Sequence, residues 1–492
     1  RSPRRCISSR ARPSSQRSAE GLPRNRKLFV KRRQLLKLAA AGGMAYAFGR
    51  LPDAVYAQAV NAYARFADYK ALVCVFLFGG NDSWNMVVPR SAAEYQAYQL
   101  ARQNLAVDQA SLLPITPVAP LPNGAAIGLH PSMPEIATLF EQDAACALIA
   151  NVGPLITSTS LAQYQARSVP LPPQLFSHND QQDQWHSLRG LAQANTGWAG
   201  RISDALGMQT GPAIPLNVSL SGQTLFQAGE SAGSYVIGPT GPVEFFGLDG
   251  TDALSVARKG GFETVARAAY GTLYERAYAG VQQRALDSAQ AVNAALATVR
   301  APNPVPFATP FPPSPLGTQL KTVAEMIAVR GTLQASRQIF FVATGGFDSH
   351  DDQAQDQPGL LANVSACLDA FYRATVEMGI AQNVTAFTQS DFGRTLTSNG
   401  DGTDHAWGGV QLVVGGAVHG KSVYGSYPVL RLGATLAADG ADDVGGGRFI
   451  PTTSSDQYAA TLARWFGVLD ADLARIAPGI DNFTQRDLGF MS

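Results

Sequence analysis

The chain has 492 residues, 46% hydrophobic and 15% charged, enough apolar content for a large core and too much for an intrinsically disordered chain. The formal charge of +1 hides an asymmetry: residues 1–59 carry 14 Lys+Arg against 2 Asp+Glu, and the rest carries 24 basic against 35 acidic residues, a net of −11. An acidic body excludes a nucleic-acid partner, which needs a basic face.

The leader comes first. Residues 1–30 are Arg-, Ser- and Pro-rich without apolar periodicity and read as an over-extended start. Lys31 to Lys37 then form a basic stretch, followed by an apolar run from Leu38 to Phe48 and small residues at Ala57 and Ala59. That order is a secretory signal. Arg32-Arg33 ahead of the run resembles a twin-arginine signal, which carries folded cargo. The expected product is an exported protein, periplasmic or secreted, starting near Val60. The apolar run is too short to span a bilayer, and no later segment is long enough, so no transmembrane anchor is expected after cleavage.

Of the four cysteines, Cys6 lies in the leader, while Cys74, Cys146 and Cys367 sit in apolar patterns without CxxC spacing. Buried free thiols are expected, not a disulfide framework or a zinc–thiolate site.

Residues 71–78, ALVCVFLF, form a continuous apolar run, as in a parallel strand buried on both faces. The run ends in Gly79-Gly80-Asn81-Asp82, a tight turn that sets Asp82 beyond the strand end. A helix capped by Ser91 and another starting near Ser132 precede a second buried strand at 145–150. This β-α-β order favours a parallel sheet with right-handed crossovers.

A Ser/Pro/Gln-rich loop then leads to Phe176-Ser177-His178-Asn179-Asp180. Ser177 reads either as a helix cap with Asp180 three residues on, or as a nucleophile at a helix N-terminus. His178 and His186 are eight apart, two turns along one face, so only one can reach a given ion. A helix starts after Gly197, and a strand is expected at 214–220. The stretch from about 221 to 336 reads as a helical insertion or cover: a long Ala-rich helix at 263–299, a Pro-rich linker and a helix at 316–336.

Residues 337–344, RQIFFVAT, form another apolar strand, ending in Gly345-Gly346-Phe347-Asp348-Ser349-His350. A helix over 360–379 follows. A third such strand begins at Val384 and breaks at Ser390-Asp391, and a Gly-rich loop then delivers Asp404-His405. A last strand covers 409–418, and Ser454 caps a closing helix.

Asp82, Asp348 and Asp391 thus all stand just past apolar strands, and in a parallel sheet those ends share one edge, where ligands bind. Asp404, His405 and His350 add oxygen and imidazole. Mixed His/Asp sets suit Zn, Mn or Fe, and oxygen-only sets suit Mg or Ca. One or two such ions would acidify a bound water or hydroxyl and clamp a phosphoryl or sulfuryl oxygen. Arg394 either pairs with that anion or bridges to a neighbouring carboxylate.

The motifs GGNDSWN (79–85), FSHNDQQDQW (176–185), GWAGR (197–201), GGFDSHDDQ (345–353), SDFGRT (390–395) and GTDHAWGG (402–409) resemble the exported proteins of domain-of-unknown-function family 1501. The resemblance runs from about Tyr69 to the C-terminus. That family is similar to the alkaline phosphatase and sulfatase superfamily, which implies a doubly wound, mainly parallel α/β sheet with helices on both faces, a single domain over 60–492, and a two-metal hydrolase site. It implies metal-ligand roles for Asp82, Asp348, Asp391 and His405, with His350 and Asp404 beside them. The catalytic candidates are Ser177, His178 and Arg394. Two departures stand out: no sulfatase CxPxR or SxPxR pattern is present, and Phe392 follows Asp391 where a histidine is usual. The expected function is hydrolysis of phosphate or sulfate esters, with a small anionic ester or glycan as substrate. The alternative is a non-catalytic exported protein on the same fold that binds a glycan or a protein.

Overall fold

In chain order the strands are β1 (Lys70–Leu77), β2 (Val87–Pro89), β3 (Leu113–Ile115), β4 (Ile127–Leu129), β5 (Cys146–Gly153), β6 (Asn217–Ser219), β7 (Ser234–Val236), β8 (Arg337–Thr344), β9 (Val384–Ser390), β10 (Gly409–Gly415), β11 (Ser422–Tyr424) and β12 (Thr453–Ser454). They are seen in a computed structural model that describes residues 66–492 apart from 122–123, 193, 208–213, 243–249, 269 and 437–440. The expected leader and signal lie outside the described residues.

The main sheet runs β11-β5-β10-β9-β1-β8-β6-β7, with β12 also paired to β5. The protein is a mixed α/β fold with a mainly parallel central sheet. β1 lies between β8 and β9, parallel to both, with Leu77 level with Thr344 on one side and Ser390 on the other. The three apolar runs therefore stop at the same height. β10 is antiparallel to both β9 and β5. A parallel return needs a crossover, usually a helix. Residues 391–408 form no helix, so the chain turns straight back. β2, β3 and β4, short strands without a long apolar run, make a separate antiparallel sheet.

Alternation along β1 assigns the two faces. Ala71, Val73, Val75 and Leu77 join one apolar cluster, with the helices Pro134–Glu141, Pro315–Ala328 and Gln353–Glu377. Leu72, Cys74 and Phe76 join the other, with the helices Trp198–Leu206 and Ser455–Phe466. Each large side chain fully buried this way stabilises by about 1.5–3 kcal/mol. Cys74, Cys146 and Cys367 are free and buried, packed as small apolar groups. No helix among the described residues is long and apolar enough to cross a membrane.

Several elements differ from the sequence expectation. The expected helix at 263–299 is two helices, Ala253–Ala266 and Leu273–Ala297. The second starts at a capping box in which the Thr272 hydroxyl accepts from the Glu275 N–H and the Glu275 carboxylate accepts from the Thr272 N–H. The helix Pro315–Ala328, assigned from sequence to the cover, lies under the sheet against β8. The helix expected from 360 begins at Gln353 and includes Pro358.

Candidate metal centre

The turns after β1, β8 and β9 bring their residues to one edge. Gly79 has φ +116°, and a Cβ there would lie 2.2 Å from the Asp348 backbone nitrogen, so only glycine lets the β1 and β8 turns touch.

Three imidazoles gather around Asp348. His178 Nδ1–H donates to Asp391 at 2.6 Å, and His405 Nδ1–H donates to the Phe176 carbonyl at 2.7 Å. Those acceptors set the tautomers, leaving both Nε2 atoms as lone pairs. His178 Nε2 lies 3.4 Å from Asp348 Oδ2, and His405 Nε2 lies 3.3 Å from Asp348 Oδ1. His350 adds its Nε2 at 3.1 Å from Asp348 Oδ1 and 2.8 Å from His405 Nε2, with its Nδ1 3.5 Å from Asp404. Each imidazole thus has an oxygen behind Nδ1 and turns Nε2 toward Asp348.

Acceptor atoms facing one another at these distances repel unless a proton or a metal cation lies among them. Two ligands each about 2.1 Å from an ion and roughly 90–110° apart are about 3.0–3.4 Å from each other. The separations of Asp348 from all three imidazoles fall in that range, and one ligand atom from each of His178, Asp348 and His405 can be chosen within 4.8 Å of the others. The residues present fit a metal ion.

Electrostatics keeps the carboxylate charged. Burial pushes the Asp348 carboxyl up, but Arg394, His178 and His350 together hold it below the usual carboxylate range. Burial holds His405 below the usual imidazole value, against the pull of the Phe176 carbonyl. Asp391 is raised by burial, against hydrogen bonds from His178, Gln182 and the Gly79 N–H.

The sequence-expected residues therefore divide. Asp348, His350 and His405 converge. His178, expected in catalysis, joins them, and its ring lies 4.4 Å from that of His405. Asp391 and Asp404 stand behind imidazoles. Asp82 goes elsewhere: it is 1% exposed, paired with Arg102, and accepts from Gln353 at 2.5 Å. It reaches the cluster through a buried relay in which Thr403 donates to Gln353 and Arg394 donates to both Thr403 and Asp348. Arg394 is fully buried and also donates to the Gly79 and Thr403 carbonyls, so it adopts the carboxylate-bridging alternative. The Ser177 hydroxyl donates to Asp180 at 2.7 Å and makes no cap bond. The Ser83 hydroxyl is buried and accepts from the Val410 N–H.

A cleft of ≈ 440 Å³ opens beside His350 and His405, and Tyr164, Phe176, Asp404 and Arg448 also line it. Sequence reasoning missed Phe176 and Arg448. Phe176 has φ +76°, unusual for a bulky residue, and this presents its carbonyl to His405 one residue before Ser177. The only forewarning for Arg448 was the glycine run at 445–447 before it.

An open-edged α/β sheet carrying a His/Asp cluster at level strand ends is the class that fold and site define. Residues 69–473 match the model of a family described as protein of unknown function (DUF1501), and the chain belongs to that family. No curated protein matches the sequence.

Proposed function

We propose that the chain is an exported, metal-dependent hydrolase of phosphate or sulfate esters. The observation that carries this reading is the convergence on Asp348 of three imidazole Nε2 atoms, two of them on rings whose Nδ1–H is held by an acceptor. His178, His405 and Asp348 would hold the ion, with His350 on the open side. Two imidazoles with one carboxylate favour Zn, Mn or Fe over Mg or Ca. Such an ion lowers the pKa of bound water and polarises an ester oxygen.

The chain's own residues supply the rest. Arg394 keeps Asp348 ionised and fixed. Asp391 and the Phe176 carbonyl hold two imidazoles in the ligating tautomer. His350, 43% exposed, is placed to move a proton at Nε2, with Asp404 behind Nδ1. The attacking group is Ser177, whose hydroxyl donates to Asp180, or water. Likeness to the alkaline phosphatase and sulfatase superfamily, a single domain over 60–492 with a helical cover, and twin-arginine export belong to the same proposal.

The second reading is a non-catalytic exported protein, and it is favoured by the missing CxPxR or SxPxR nucleophile pattern. Metal analysis of the purified protein with assays on aryl phosphates and aryl sulfates separates the two. Metal and turnover that both disappear in Asp391→Ala and His405→Ala support the hydrolase. A protein that holds no metal and turns over neither ester is the binding module.

A further inference from the structure

We infer that the cleft beside the metal centre is a subsite for singly charged tetrahedral esters, a sulfate monoester or a phosphate diester, with Arg448 holding the anionic oxygen. The inference rests on the hydrolase reading and deepens it. Arg448 is fixed in place: Nε donates to the carbonyl of His405 at 2.9 Å, and Nη1 donates to the Gly445 carbonyl at 3.1 Å. Its guanidinium lies 5.7 Å from the centre of the Phe176 ring. Nη2 is left with only a long pairing, 3.8 Å, to Asp404. A planar donor edge is thus held on the cleft wall by the main chain of a ligand histidine, and little side-chain freedom is lost when an anion arrives. Phe176 and Tyr164 flank the space for the organic group.

Charge selects the anion. Arg448 is the only Arg or Lys among the described residues lining the cleft, and Asp404 shares that wall. Buried Arg394 and Asp391 offset each other. A divalent ion, Asp348, Asp404 and Arg448 then sum to one positive charge, which matches a monoanion. A phosphate monoester dianion would leave a negative charge uncompensated.

The test uses zinc- or manganese-loaded protein with p-nitrophenyl sulfate, bis-p-nitrophenyl phosphate and p-nitrophenyl phosphate, in turnover and in calorimetric titration. One of the two monoanions is expected to exceed the dianion in kcat/KM by about 10-fold or more, and which one it is distinguishes sulfate from diester chemistry. Arg448→Gln is expected to weaken binding of that ester by about 10-fold or more, the scale of one charge-assisted hydrogen bond, and by more than it changes metal affinity. Arg448→Lys, which keeps the charge and loses the fork, falls between and carries the test if the glutamine variant does not fold. Preference for the dianion, or equal ester binding by wild type and both variants, overturns the subsite and leaves the hydrolase reading intact. Arg448-dependent binding of a monoanion without turnover upholds the subsite and overturns the hydrolase. Neither binding nor turnover of any ester overturns both.

Discussion

Two Gly-Gly turns leave neighbouring strands at the same edge of the sheet, and each delivers an aspartate two residues later. Gly79-Gly80-Asn81-Asp82 follows β1, and Gly345-Gly346-Phe347-Asp348 follows β8. Asp82 is 1% exposed and Asp348 is 46% exposed. The Asp82 carboxylate accepts from the Trp84 N–H, starting a short helix, and meets Arg102 from the next one. Asp348 precedes an irregular stretch that ends on His350, and it meets imidazoles. One turn of a matched pair thus anchors the core while the other presents a candidate ligand, and what separates them is the partner each carboxylate finds.

The largest effect should come from breaking the buried member. Asp82→Asn leaves Arg102 buried without its counter-charge, and a loss of about 3–5 kcal/mol is expected in urea unfolding. Asp348→Asn should lose less than about 1.5 kcal/mol in metal-free protein, because its site is half exposed and Arg394 keeps its carbonyl acceptors. Equal losses would erase the distinction.

Metal affinity should report the opposite ranking. His405→Ala and His178→Ala are each expected to weaken zinc binding by more than about 100-fold in calorimetry, since even outer partners contribute 10–100-fold. Asp82→Asn that still folds should bind zinc within about twofold of wild type. Strong metal loss in Asp82→Asn would instead return Asp82 to the ligand set. Asp391→Asn should fall between, about 10–100-fold weaker, because it weakens the acceptor behind His178 without removing a ligand.

The last effect is on the pH profile of stability and lies in another buried carboxyl, Asp456. Burial raises Asp456 from 3.8 to about 7, against hydrogen bonds from the Gly479 N–H and Ser454. A raised folded value means the native state holds the proton more tightly than the unfolded chain. The stabilisation is present below about pH 4 and is lost as pH rises toward 7. Asp456→Asn should flatten that part of the stability profile and raise the melting temperature at pH 8. An unchanged slope between pH 4 and 7 would place the titrating group elsewhere.

Much of the sheet was legible because long apolar runs have few alternatives to burial. The run at 337–344 is β8 residue for residue, and β1 and β9 start within one residue of expectation. The short strands were not legible: Val87–Pro89 and Ser422–Tyr424 carry too few residues for a periodic signal and are strands only because a partner lies beside them. At the site, Asp348, His350 and His405 could be read as strand-end groups. The part of His178 could not, since its 3.4 Å approach to Asp348 depends on a helix 170 positions earlier in the chain and on the positive φ of Phe176.

By itself the sequence determined which stretches are buried and which residue types stand where they end, because hydrophobic patterning and glycine turns act over a few residues. Only the tertiary structure decided which of those carboxylates meets an arginine and which meets imidazoles. Charge pairing and tautomer choice act across a few ångströms of space between residues far apart in the chain, a distance that sequence order does not encode.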